Sequence, residues 1–150
     1  NIQYLIDNNF IYIEKLKDIE LSQKKFLKKF QNEENNLKKI SNDIEDSKLI
    51  LNEDEINILI EDYNQKLQSF TRNVEEFNFH YQNQVIAMRE RILEEIILLL
   101  QEYAIKNNVD LILDSTSYLI ASNSIDITES INSELNKSNF KLEHKDFDQN

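Results

Sequence analysis

Glycine, proline, cysteine and tryptophan are all absent from this chain of 150 residues. Each absence removes a class of function. Without glycine, a phosphate-cradling loop, a dinucleotide-binding fingerprint and a nucleophile elbow cannot be built. Turns that need positive φ must fall to Asn or Asp. Without cysteine there is no disulfide and no thiolate-ligated zinc, and the redox compartment leaves no trace. Positive charge is also scarce: 17 Lys and Arg against 28 Asp and Glu give a net charge of -11. Nucleic-acid binding rests on basic patches, so the balance points away from that partner and toward solubility. No run approaches the ~18 apolar residues that span a bilayer; Ile96–Leu100 is far too short. No stable membrane insertion is expected. The chain starts at Asn1 on an apparent strand, without a signal peptide, as a trimmed product would. The abundance of Asn, Ile and Lys points to compositional bias as well as to helical architecture.

What is present is periodicity. Ile56, Tyr63, Leu67, Phe70, Val74, Phe77, Tyr81, Met88, Ile92, Leu99 and Tyr103 recur at close to three and a half residues, interrupted by Gln84 and Glu95. That is a coiled-coil seam on a helix roughly 70 Å long. An earlier stretch, from about Asp18 or Ser22, repeats the spacing with Phe26, Phe30, Leu37, Ile40 and Ile44 around Glu33. Ser22 suits a helix cap. The unlike stretch Asp43–Glu55 makes the two segments an antiparallel hairpin with its tip near Leu51 and Asn52, Asn52 supplying a left-handed turn. Asp54 and Glu55 suit the start of the returning helix. Ile44 then faces Ile56, Leu37 faces Tyr63, Phe30 faces Phe70, and Phe26 faces Val74. The acidic tip lacks the glycine and ligand ladder of a calcium loop. His80 follows Glu76 by one turn, but no third ligand accompanies them, and neither His80 nor His144 has a nucleophile nearby. No metal, cofactor or catalytic residue is expected.

A second stripe, Phe79, Ile86, Leu93 and Leu100, widened by Ile97, leaves the later part of the long helix apolar on two faces. Such a helix is either buried twice or keeps one face for binding. Outside the helices, Ile2, Tyr4 and Ile6 read as a short strand, with Phe10–Leu16 as a short helix beneath it. Asn107 and Asn108 stop the long helix in place of a C-cap glycine. Val109–Asp114 and Tyr118–Ala121 read as strands, Ser115–Ser117 as their turn. Asp126 and Glu129 form a capping-box pattern before a helix with Ile127, Ile131 and Leu135 on one face.

The long-helix end Asn107-Asn108-Val109-Asp110-Leu111-Ile112-Leu113-Asp114, the strand Tyr118-Leu119-Ile120-Ala121 and the helix start Asp126-Ile127-Thr128 resemble the Skp (OmpH-like) periplasmic chaperones. Ile2–Ile6 followed by Asp7 is similar to that family's opening. The resemblance implies a homotrimer in the periplasm. Strands from three subunits build a barrel head, helical arms surround a cavity, and unfolded outer-membrane proteins are held there without ATP. It implies no catalytic residue. The expected fold is therefore α+β, mostly α: a coiled-coil hairpin arm over residues 18–106 and a β head from 1–17 with 107–136. A disordered polar tail covers 137–150.

The trimer head would use Ile2, Tyr4, Ile6, Leu111, Leu113, Tyr118 and Ile120. The hairpin seam would use Phe26, Phe30, Leu37, Ile44, Ile56, Tyr63, Phe70 and Val74. Client contact falls to off-seam Leu27, Leu49, Leu51, Ile58, Phe79 and Ile86. The net acidity departs from the basic charge of well-known members, which bears on charge-driven grip and on lipopolysaccharide binding. Two other readings use the same residues: a coiled-coil spacer whose head only oligomerises it, and a prefoldin-like arm protein. In the latter class the strands sit between the arms rather than at the chain ends.

Overall fold

The computed structural model describes residues 1–147. Among these residues four α-helices follow in chain order: α1 (Ile2–Asp7), α2 (Phe10–Ser47), α3 (Glu53–Asn107) and α4 (Thr128–Leu135). Two single 3₁₀ turns, Ser115–Ser117 and Asn123–Ile125, lie between α3 and α4. The contacts divide the chain into two compact units. One comprises Asn1–Ile19 and Asn83–Lys145; the other comprises Glu20–Gln82 with Asp146 and Phe147. The expected boundaries at 17 and 106 therefore differ from those of the contacts. The N-terminal cut is close, but the later part of α3 belongs with the chain ends.

The second unit is an antiparallel helical hairpin. Phe30, Leu37, Ile44, Ile56, Phe77 and Tyr81 are buried along its seam, and Phe26, Tyr63, Phe70 and Val74 are half-buried. The Phe30 ring stands edge-on to Phe70 at 6.0 Å and to Phe77 at 5.2 Å, and Phe26 lies 5.8 Å from Phe77. Ring pairs in this geometry add to the burial of their area. At the tip, Leu51 N–H closes on Ser47 carbonyl at 2.9 Å. Asn52 does not take the left-handed conformation, since Asn108 is the one non-glycine residue with positive φ among those described. Instead Asn52 Oδ1 accepts from Glu55 N–H at 3.0 Å while Glu55 Oε2 accepts from Asn52 N–H at 3.1 Å. This reciprocal capping box satisfies the orphan donors at the start of α3.

The first unit has an aliphatic core of Leu5, Ile6, Ile19, Met88, Ile92, Ile96, Ile131 and Leu135 with Tyr12, Phe140 and Leu142. Here the expected strand Ile2–Ile6 is a helix. Ile2, Leu5 and Ile6 stand at i, i+3 and i+4, which is a helical face. Asn1 Oδ1 caps that helix by accepting from Tyr4 N–H at 3.0 Å. The expected short helix Phe10–Leu16 is the first part of α2, which runs without a break through Ser22. Its cap is Asn9, whose Oδ1 accepts from Tyr12 N–H at 2.9 Å. Ser22 is thus mid-helix rather than a cap. Val109–Asp114 and Tyr118–Ala121 form no ladder, and no strand occurs among the described residues. A strand needs a neighbour for its backbone, and a single chain provides none here. The capping box expected at Asp126 is also different: Asp126 Oδ1 accepts from Thr128 N–H at 2.9 Å, and Ile127 is the cap residue without a side-chain bond. The tail departs from the expected disorder as far as it is described. Phe140, Leu142 and Phe147 are buried, and Gln84 brackets Lys145 by donating to its carbonyl at 2.8 Å and accepting its N–H at 2.5 Å. Residues 148–150 lie outside the described residues.

Candidate functional site: exposed apolar surface

Asn108 ends α3 with φ 52°, the left-handed conformation expected of it, and Val109 N–H reaches back to Ala104 carbonyl at 2.9 Å. This six-to-one bond is the Schellman closure. The chain that leaves it is extended at Asp114 (φ -72°, ψ 153°) and Tyr118 (φ -143°, ψ 158°). Leu111, Leu113 and Tyr118 are exposed, and Leu119 and Ile120 are 101% and 93% exposed. Extended chain with apolar side chains and no ladder has the properties of an unpaired sheet edge. Of the other residues expected in the head, Tyr4 is exposed on α1, Ile2 is half-buried, and Ile6 is buried in the core of this unit.

Asp114 anchors the segment. Its carboxylate accepts from Ile2 N–H at 2.9 Å, from Thr116 N–H at 3.1 Å and from Thr116 Oγ1 at 2.8 Å. These donors, with Ile2 the largest influence, hold its pKa down at about 2. Hydrogen bonds to the charged form favour it, which is the physical cause. Asn1 N donates to Thr128 Oγ1 at 2.9 Å, so α1 is tied to the start of α4. Arg89 reaches Gln3 Oε1 at 2.8 Å and lies 3.8 Å from Asp7. Nearby, the Glu129 carboxylate raises the pKa of the Tyr4 hydroxyl.

In the hairpin unit Leu27, Leu51, Ile58 and Phe79 are exposed, and Leu49 is 90% exposed; Ile86, in the first unit, is exposed as well. All six expected contact residues therefore present apolar surface to solvent. Sequence reasoning passed over Ile50, which is 85% exposed, and Ile105 and Ile125. Ile50 belongs to the same tip run as Leu49 and Leu51, so a positional signal existed for it. Glu76, read beside His80, lies 3.5 Å from Arg72, while the His80 ring packs against Tyr81 at 5.0 Å and Phe147 at 5.6 Å. No group of three His, Asp or Glu residues among those described is placed to hold a metal, and no described helix is long and apolar enough to cross a membrane.

A family model described as outer membrane protein (OmpH-like) matches residues 1–135. Among solved structures, the chain is similar to a candidate outer membrane chaperone (OmpH-like) from Caulobacter crescentus CB15. The TM-score is 0.72 at 14% identity, over 96% of this chain and 88% of that one. At that identity the likeness is one of fold. No curated protein matches the chain.

Proposed function

The chain belongs to the OmpH-like family, and from that premise we propose that it is an ATP-independent holdase for unfolded outer-membrane β-barrel proteins. A chaperone role goes with the family; the holding mechanism is our reading. The observation that carries it is the set of apolar side chains left in water on the two long helices, Leu27, Ile58 and Phe79 above all, with Leu49 at the tip. Their seam neighbours are spent within the hairpin, so these residues are available to an unfolded chain. Removing unfolded clients from the pool suppresses their aggregation by mass action. Several weak contacts give avidity and still permit release without nucleotide.

The working form is a periplasmic homotrimer. The exposed segment around Leu111, Leu113, Tyr118 and Ile120 supports it, because an extended chain with apolar side chains gains a ladder when a second and third copy supply one. Light scattering at micromolar concentration is expected to give three chains. Leu111→Asp or Ile120→Asp is expected to give one.

With a net charge of -11, the grip on acidic clients must be apolar. Salt screens repulsion over a Debye length of about 8 Å at physiological ionic strength and leaves apolar attraction intact. The test is aggregation of an acidic unfolded barrel protein without nucleotide, across a salt series. Suppression is expected to hold level or rise from low to moderate salt, and to weaken in Phe79→Ser with Ile86→Ser. No suppression at any salt would leave a coiled-coil spacer. A steep loss with salt would assign the grip to Arg72, Arg89 and Arg91.

A further inference from the structure

Ser22 and Phe26 stand one turn apart on α2, on the face turned to α3, and Phe77, His80 and Tyr81 share the facing side of α3. A serine inside an otherwise apolar seam is a polar group that needs a partner. Ser22 is buried, and its hydroxyl donates to the Asp146 carboxylate. The next residue fills the space beside it. The Phe147 ring meets Phe26 at 5.5 Å, Phe77 at 5.6 Å and His80 at 5.6 Å, each at a steep angle, and its backbone N–H points to the Tyr81 hydroxyl at 3.4 Å. Three rings thus surround the side chain, one hydroxyl takes the acidic group before it, and another takes the backbone between them. Aromatic surroundings with a few placed polar groups are what a ligand site offers.

The walls also hold contacts of their own: Phe26 lies 5.8 Å from Phe77, and Phe30 lies 5.2 Å from Phe77, across the seam and apart from Phe147. The occupant also lies beyond residues 1–135, the part of the chain that the family model matches. We propose that Ser22, Phe26, Phe77, His80 and Tyr81 form a peptide-binding site for an extended segment bearing an acidic residue followed by an aromatic one, and that the chain's own Asp146-Phe147 is its resident, exchangeable ligand. A tethered ligand acts at an effective concentration on the order of millimolar. It therefore masks the site from a free peptide present at concentrations well below that.

The test uses a fluorescein-labelled peptide of residues 141–147, ending in an amide, with the full chain and its Phe147→Ala variant, read by fluorescence anisotropy. The variant is expected to keep its helical circular dichroism and to bind the peptide at least tenfold more tightly than the unaltered chain. A peptide with alanine for Phe147 is expected to lose at least tenfold. Ser22→Ala, added to the variant, is expected to weaken the Asp146 peptide several-fold and leave the counterpart with alanine in place of Asp146 unmoved. Equal binding by both chains, or equal binding of the peptide without its aromatic ring, overturns the proposal. So does loss of helical signal on Phe147→Ala, since the tail is then part of the core. The readout is peptide binding and not aggregation, so its failure leaves the holdase reading standing, and the converse also holds.

Discussion

The two compact units are held by different chemistry. The hairpin unit is closed by rings: Phe26, Phe30, Phe70, Phe77, Tyr81 and Phe147 meet in one chain of tilted and edge-on contacts. Its ion pairs, such as Lys24 with Glu20 and Lys66 with Asp62, are local helix pairs on exposed surface, where solvent screening leaves each of them little to add. The unit with the chain ends has an aliphatic core bound by side-chain hydrogen bonds between residues far apart in sequence. These join Asn1 to Thr128, Ile2 to Asp114, Asn9 to Asn136 and Gln84 to Lys145. Apolar contact tolerates changes of pH and charge but not of volume. A polar tie tolerates neither loss of a partner nor loss of its charge.

The largest effect should come from breaking the ring chain at its centre. Phe77 is buried and touches Phe26, Phe30, Tyr81 and Phe147. Phe77→Ala should cost about 3–5 kcal/mol if the site cannot collapse. Hydrogen exchange should quicken most over Glu20–Gln82. Equal quickening at Met88–Ile96 would mean that the two units do not open separately.

The polar counterpart is Asn9, which is fully buried. Its Oδ1 caps α2 through Tyr12 N–H, and its Nδ2 donates to Asn136 Oδ1 at 3.3 Å. Asn9→Ala removes a cap and a buried partner together, and should cost about 2 kcal/mol. Asn9→Asp keeps the cap but loses the donor and places a charge against the Asn136 oxygen, so it should rescue little. Urea unfolding of the three chains measures both.

The hairpin was legible because its signal is local and repeated. Phe30, Leu37 and Ile44 lie seven residues apart, so one seam position predicts the next. Ile2, Tyr4 and Ile6 were ambiguous: three alternating residues also carry the helical set Ile2, Leu5 and Ile6, and the cap from Asn1 decides for helix. Val109–Ala121 has strand-forming residues, but the chain alone gives them no ladder, so composition could not tell extended chain from sheet. The tail misled by its polarity. Phe140, Leu142 and Phe147 are few among many polar residues, and burial depends on α2 and α3, which are distant in sequence. The peptide-like fit of Phe147 was invisible for the same reason, and Ser22 in the seam was its one mark.

Acid should distinguish the units next. Asp114 has its pKa lowered from 3.8 to about 2 in the folded chain, chiefly by the Ile2 and Thr116 donors. A depressed carboxylate adds stability above its unfolded value, and that stability is withdrawn as pH falls from about 4 toward 2. Exchange protection around Ile2–Asp7 should fall in that window. Asp114→Asn should lower protection at neutral pH and flatten the acid dependence. An unchanged acid profile in the variant would show that other carboxylates govern this unit.

The smallest effects lie at the two ends of α3, where two asparagines do unlike work. Asn52 works through its side chain, which accepts from Glu55 N–H, and its backbone has no positive φ. Asn108 works through its backbone at φ 52°, a conformation that costs most residues ~1–2 kcal/mol and glycine almost nothing. Substitutions should therefore separate them. Asn52→Ala should cost about 1 kcal/mol and Asn52→Ser nearly nothing, because serine also caps. Asn108→Ala should cost about 1 kcal/mol, whereas Asn108→Gly should be neutral or slightly stabilising. Thermal unfolding of the four variants gives the ranking. If Asn108→Gly destabilised as much as Asn108→Ala, the Asn108 side chain rather than its φ would be what closes α3. Neutrality would mean that asparagine here fills a place glycine could take, in a chain whose sequence contains none.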